Sequence, residues 1–345
     1  MDIRRRNVLK LVGTGVAVST AGCLDDVGLG SDDSLDWGNG DYPAYEQWLP
    51  AVDGQLVISS LEWSALSEFE AYEEGDRETP PSSEDADETN ALVEAENPIL
   101  SVTATGALNT AFMVQGASFG TAGLTSIVDE SGDDLAQSDL ETTLEDALLV
   151  GDTLILRGEV DTAEVDAELT DPTYQYNPEF DPVDDHGEFA VYEHPHPSGE
   201  SAEVVAVGPD AIVYSGNRND PHGNVTRVLT AREDGDDRAT EENERFGWLL
   251  EQAGDGEVVF AASDGPDADG KLGDAEAFAS SLTFDADGGA TGAFAAVFDE
   301  ESDDPESELE DEFAESAADI SLEVEGRRIT ASATWDDLEA ALEGE

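Results

Sequence analysis

Cysteine is nearly missing from this chain of 345 residues: Cys23 is the only one. A disulfide framework, a cysteine metal cluster, a blue-copper centre and a cysteine nucleophile therefore have no residues to build them. Lysine is almost as scarce. Lys10 and Lys271 are the only two, and Lys+Arg total 14 against 83 Asp+Glu, a formal net charge of −69. Phosphate contacts need clustered cations, so a nucleic-acid partner is excluded as an expectation. Long apolar runs are scarce as well. The longest uncharged stretch, 99–128, carries four glycines and ten Ser, Thr, Asn or Gln residues. It has the length of a membrane span and the composition of a buried segment instead.

The acid is spread along the whole chain, which argues against a single acidic binding patch. Self-repulsion of this size opposes compaction in dilute buffer, whereas at about 1 M salt the Debye length shrinks to ~3 Å. Acid excess with lysine nearly absent resembles the protein composition of salt-in haloarchaea. Hydrophobic residues still make up 39% and fall in periodic runs, so a folded core is expected.

The N-terminus carries the densest information. Arg4-Arg5-Arg6-Asn7-Val8-Leu9-Lys10 precedes an uncharged run from Leu11 to Gly22 and then Cys23. A basic region, a short apolar region and small residues before a cleavage point make an export signal. Arg5 and Arg6 sit in an R-R-x-φ-φ-K pattern that resembles the twin-arginine signal. Thr20-Ala21-Gly22-Cys23 resembles a lipobox, with Cys23 as the lipidated residue. The expectation is a signal peptide over 1–22, a flexible acidic tether over 23–41 and an extracellular protein held by lipid on the outer face of the cytoplasmic membrane.

Beyond the tether the sequence reads as α+β. Two regions are expected, 42–150 and 151–345, the second divisible into 151–262 and 263–345. Strands are expected at Leu56–Leu61, Asp152–Gly158, Phe189–Tyr192 and Glu257–Ala262. Glu203–Val207 and Ala211–Tyr214 should pair across Gly208-Pro209-Asp210, and Leu282–Phe284 with Phe294–Phe298 across Asp287–Gly289. Ile320–Glu325 and Arg328–Thr334 form a last pair. Helices are expected from Asp161, over Val225–Ala231 and over Asn243–Ala253. Within 99–128 the expectation is strand or loop, then a small-residue helix around Gly116–Gly120. A strand–tryptophan–cap–helix pattern recurs at Val57–Leu66 and Ile329–Leu338 and, with Asp161 in the tryptophan place, at Ile155–Val165. The reading is antiparallel sheets with helices on one face, as tandem ferredoxin-like units.

The signal, the Tyr42-Pro43…Trp48-Leu49-Pro50 opening, the Leu154–Val160 strand and the Val205…Tyr214 hairpin together resemble haloarchaeal twin-arginine-exported lipoproteins of uncharacterised function. That resemblance implies a fold and a location, and no catalytic residues.

Candidate sites remain to be weighed. His186, His194, His196 and His222 are the only histidines, and His194-Pro195-His196 offers two imidazoles for zinc, copper or nickel. Asp267, Asp269 and Glu276 fall at calcium-loop spacing, although Gly265 holds the first ligand place. Ser118 lies in a G-x-S-x-G pattern, which needs a strand–turn–helix context to act as a nucleophile. Asn224 heads the sequon Asn224-Val225-Thr226 and is a glycan candidate. No cofactor follows from these residues. The functional expectation is a binding or scaffold protein rather than an enzyme, meeting a surface protein or small molecule of unspecified kind. A solute-binding protein and a metal-dependent or serine hydrolase are the alternatives.

Overall fold

A computed structural model describes residues 42–52, 54–65, 95, 97–117, 141–172, 178–195, 202–216, 220–263, 275–286, 288–298 and 316–343. The signal, the tether, Ser118, His196, Asp267 and Asp269 lie outside the described residues.

Among the described residues twelve strands form one antiparallel sheet. In chain order they are β1 (Val57–Glu62), β2 (Thr143–Val150), β3 (Thr153–Glu159), β4 (Asp181–His186), β5 (Phe189–Pro195), β6 (Ala202–Val207), β7 (Ala211–Ser215), β8 (Val258–Ser263), β9 (Ala275–Phe284), β10 (Ala290–Phe298), β11 (Asp319–Glu325) and β12 (Arg328–Trp335). Across the sheet they run β11-β12-β10-β9-β8-β1-β2-β3-β7-β6-β5-β4. At ~4.8 Å per strand the sheet is about 50 Å wide.

Three hairpins expected from the sequence are present, with Val207 opposite Ile212, Phe284 opposite Ala290 and Glu325 opposite Arg328. The β2–β3 hairpin was not foreseen. Its two-residue loop begins with Gly151 at φ 56°, a backbone state that glycine enters freely. The expected boundary between 150 and 151 falls in that loop, between neighbours in one sheet.

Helices cover both faces, which corrects the expectation of helices on one face. The front carries a 3-10 turn (Ala44–Trp48), α3 (Pro221–Glu233), the short α4 (Ala239–Glu242) and α5 (Glu244–Ala253). The back carries α1 (Pro98–Gly116), α2 (Thr162–Thr170) and α6 (Leu338–Glu343). The physical reason lies in β6 and β7, whose side chains are buried on both sides: Val204, Ala206 and Val213 pack forward, Val205, Val207 and Ile212 backward. A strand apolar on both sides needs two covers. The sheet is also unbroken from β11 to β4, so the tandem ferredoxin-like units expected from the sequence do not occur as separate sheets. α2 and α3 flank β6–β7 from opposite sides, not from one.

A second correction concerns residues 99–117, where a helix occupies the place expected to be strand or loop, while most of the small-residue helix expected around Gly116–Gly120 lies outside the described residues. α1 starts at Pro98, with Asn97 Oδ1 accepting from the Ile99 amide at 3.0 Å. Its small residues let it lie close on the sheet. Thr103 Oγ1 meets Ser280 Oγ at 2.7 Å, and a Cβ placed on Gly106 would stand 2.5 Å from Phe260 Cβ. The edge strands are marked differently. β11 alternates exposed and half-buried positions, and β4 carries Asp181, Pro182, Asp184 and Asp185, which discourage edge-to-edge pairing.

Gly106→Ala tests this close approach. Alanine favours a helix by about 1 kcal/mol over glycine, but overpacking costs about 1–3 kcal/mol. The urea midpoint in multimolar KCl should therefore fall. An unchanged or higher midpoint would mean that α1 stands farther from β8.

Candidate functional site

The structure separates the histidines. On β5, Phe189 and Val191 pack to the front, Ala190 and Tyr192 to the back, so His194 faces back. His186 pairs with Phe189 and faces front, its Nε2 at 3.5 Å from Glu233 Oε2 on the last turn of α3. His222 is exposed at the other end of α3. At 1.5 Å per residue the helix keeps these two about 16 Å apart. Among the described residues no group of three or more His, Cys, Asp or Glu is placed to hold a metal.

His194 instead takes part in a different arrangement. Its Nδ1 donates to the Glu179 carbonyl oxygen at 2.8 Å, and its ring lies 5.5 Å from that of Phe180. This bond fixes the ring orientation and leaves Nε2 as the exchangeable position. Directly across the β5–β6 ladder stands Glu203. Its Oε2 is inaccessible to solvent and has no hydrogen-bond partner. Burial pushes the Glu203 carboxyl up to about 7, with the imidazole of His194 pulling in the opposite direction. Two residues along the same face, Tyr192 Oη donates to Asp166 Oδ1 of α2 at 2.7 Å. Burial, then that carboxylate and Asp185, raise the tyrosine hydroxyl above its ordinary range.

A raised, solvent-inaccessible carboxyl paired across a ladder with a histidine is the kind of perturbed group found at functional sites. Sequence reasoning selected His194 for metal binding and missed Glu203. The available signal was the hairpin register, which places a lone acid of an apolar strand opposite a histidine.

The front face holds a second cluster. Glu62 and Asp146 are paired residues on β1 and β2, and Arg157 Nε on β3 donates to Asp146 Oδ1 at 2.5 Å. Burial first, then neighbouring carboxylates, raise Glu62, while Arg157 opposes the rise. Asp146 is also raised, by burial before any other cause.

The other sequence candidates are placed as follows. Glu276 sits at an irregularity in the β9–β10 ladder, between Ala275 and Ala277. Its Oε2 takes Arg245 Nη1 at 2.6 Å and has Arg327 Nη1 at 3.7 Å, so two guanidinium groups hold it. Asn224 is half-buried in the first turn of α3. Its Nδ2, the atom a glycan would join, contacts Ser215 Oγ at 3.5 Å, and its Oδ1 accepts from Arg227.

No protein-family model and no curated protein matches the sequence. Two solved structures are similar, crystal forms III and I of TP0453, at TM-scores of 0.41 and 0.40 and 10% identity. Each covers 87% of this chain, and 98% and 96% of its own.

Glu203→Gln tests the buried carboxyl. A folded-state value of about 7 lies above the ordinary ~4.3, so the native state holds the extra proton between these values. The stabilisation is complete below the ordinary value and is lost as pH rises through about 7. The variant should melt about 2–4 °C above wild type at pH 8, with most of that gain absent near pH 4.5. A difference independent of pH would place the carboxyl in water.

Proposed function

We propose that this chain is an extracytoplasmic lipoprotein of a halophilic archaeon, held to the outer face of the membrane through Cys23 and acting as a binding or scaffold module. The observation that carries the reading is the run from Arg4 to Cys23, in which a twin-arginine pattern and a lipobox occur in register on the single cysteine of the chain. The charge of −69 suits a compartment of molar salt.

The place where the tether joins the folded part supports an anchoring role. Tyr45 and Trp48 are 3% and 1% exposed and pack on the front of the sheet. Glu46 is held by Arg238 Nη1 at 3.2 Å and by the Thr240 hydroxyl. The Ala51 amide bonds the Asp237 carbonyl, and the Ala239 amide bonds that of Leu49. A pull on the tether therefore acts on a turn held by buried contacts, not on a frayed end.

No helix among the described residues is long and apolar enough to cross a membrane. A solute-binding protein is less favoured, because its two βαβ lobes meet at a hinge and all strand pairs here are antiparallel among the described residues. The surface partner is a protein or a small molecule.

Cys23→Ser should release the protein into the medium or stop its maturation, read by fractionation of intact cells. Replacing Arg5 and Arg6 by lysine should stop export. Membrane retention at the wild-type level with normal processing would overturn the lipobox; unaffected export would overturn the twin-arginine route.

A further inference from the structure

The sheet is assembled from two blocks that are contiguous in sequence. Strands β2 to β7 come from residues 143–215 and form one side, and β8 to β12 come from residues 258–335 and form the other. No strand of one block pairs with a strand of the other among the described residues. Between them stands β1, from the N-terminal part of the chain. It pairs with β2 from Ile58–Val150 to Glu62–Asp146, and with β8 from Val57–Ala262 to Leu61–Val258. Among the described residues, this one six-residue strand carries the strand-to-strand join of the two blocks.

The two ends of this strand differ in chemistry. At the Val57 end the bonds are neutral and close. The Gly151 amide donates to the Val57 carbonyl at 2.8 Å, and the Ser263 amide to the Leu56 carbonyl at 2.9 Å. At the other end Glu62 has Asp146 opposite it on β2. On its other side lies Glu257, whose carbonyl accepts from the Glu62 amide at 2.8 Å. Like charges directly opposite in a ladder are destabilising.

The groups facing Glu62 are Asp146 on β2, Arg157 on β3, Ser64 just beyond β1, and Glu257 before β8; Glu145 adds a further acid beside Asp146. Arg157 is already engaged by Asp146, and Glu257 Oε2 is taken by the Phe284 amide at 2.6 Å. The balance at this end is negative. On the back, α1 crosses the same join without a charged residue, contacting β8 and β9 on one side and β2 on the other. The front opens at a repulsive end while the back is held by a salt-indifferent helix.

We propose that β1 is a salt-dependent seam: lowering the ionic strength opens the β1–β2 and β1–β8 pairings from the Glu62 end while the pairings inside each block persist. Glu62 is exposed, so its repulsion from Asp146 and Glu257 acts partly through solvent, where ions screen it. Pairings such as Val205–Tyr214 and Ala279–Ala295 lie between buried apolar residues and are indifferent to screening at first order. The seam is independent of the membrane anchor.

Hydrogen exchange read by mass spectrometry on the full chain, across a descending KCl series, tests this. Amides of 58–62, 146–150 and 258–262 should lose protection at a KCl concentration at least twofold above that at which 204–207 and 278–282 lose it. Glu62→Gln should move the midpoint of the seam at least twofold lower in KCl, and Glu323→Gln, an exposed acid on the edge strand β11, should not. NaCl at equal ionic strength should reproduce the KCl midpoints. Simultaneous loss of protection in all strands would overturn the proposal. So would a Glu62→Gln shift no larger than that of Glu323→Gln, or a midpoint specific to potassium, which would indicate ion binding in place of screening.

Discussion

Burial of the sheet on both faces is the constraint from which the other features follow. A strand between two helical layers cannot alternate apolar and polar side chains, so β3, β7, β8 and β9 are nearly continuous runs of buried residues. Charged residues that do fall on interior strands, such as Asp146 on β2, Arg157 on β3 and Glu276 on β9, are held in ion pairs. Two-sided burial also favours small residues where a helix must sit close. Beneath α1 the packing is made by Gly106, Ala104, Ala107 and hydroxyl groups, with Phe260 filling the space the glycine leaves. Serine and threonine are admissible there because they bond to each other or to the preceding helical turn, as Thr105 does to the Ser101 carbonyl at 2.8 Å.

A consequence is the dependence of the fold on its N-terminal residues. The turn at 44–48 and β1 reach partners roughly 90 to 200 positions away, at 146–150, 238–240 and 258–262. Such pairings carry a high loop-closure cost and form late and slowly. Aromatic and cationic contacts hold the 44–48 turn: the Arg232 guanidinium lies over both Trp48 and Phe189, at 4.9 and 5.3 Å, and is paired with Asp210. Export of a protein after folding, as the twin-arginine reading requires, suits a chain in which β1 completes its second pairing only with residues 258–262.

Much of the local structure was legible in the sequence, and the reasons are specific. Gly208-Pro209-Asp210 between two apolar runs determines β6–β7, and Asp161 ahead of Ala163 and Glu164 determines the start of α2, where its Oδ1 accepts from both amides. α1 was not legible because small uncharged residues follow no helical period strongly, and its cap, Asn97-Pro98, is a signal that loops share. β4 was hidden because Asp-Pro-Val-Asp-Asp-His lacks every strand preference and is held only by its neighbour β5. The position of β1 in the centre of one sheet had no local trace, since a strand's partners are long-range facts. The histidines were close in sequence, between 186 and 222, but strand alternation sends His186 and His194 to opposite faces. Glu203 acquires its character only from the layer above it.

Salt and protons consequently act on different carboxyls of this chain. Between exposed carboxylates a Debye length of ~3 Å at 1 M screens most of the mutual repulsion. Glu203 is raised by desolvation, which ions in the bulk do not reverse, because they do not enter the space around its inaccessible Oε2. Asp146 is likewise raised by burial, and the Arg157 contact opposes that rise without overcoming it. Glu62 lies between these limits, exposed to solvent yet surrounded by acids of two neighbouring segments. Salt therefore reaches Glu62, while Glu203 and Asp146 answer to the burial that the sheet imposes on them.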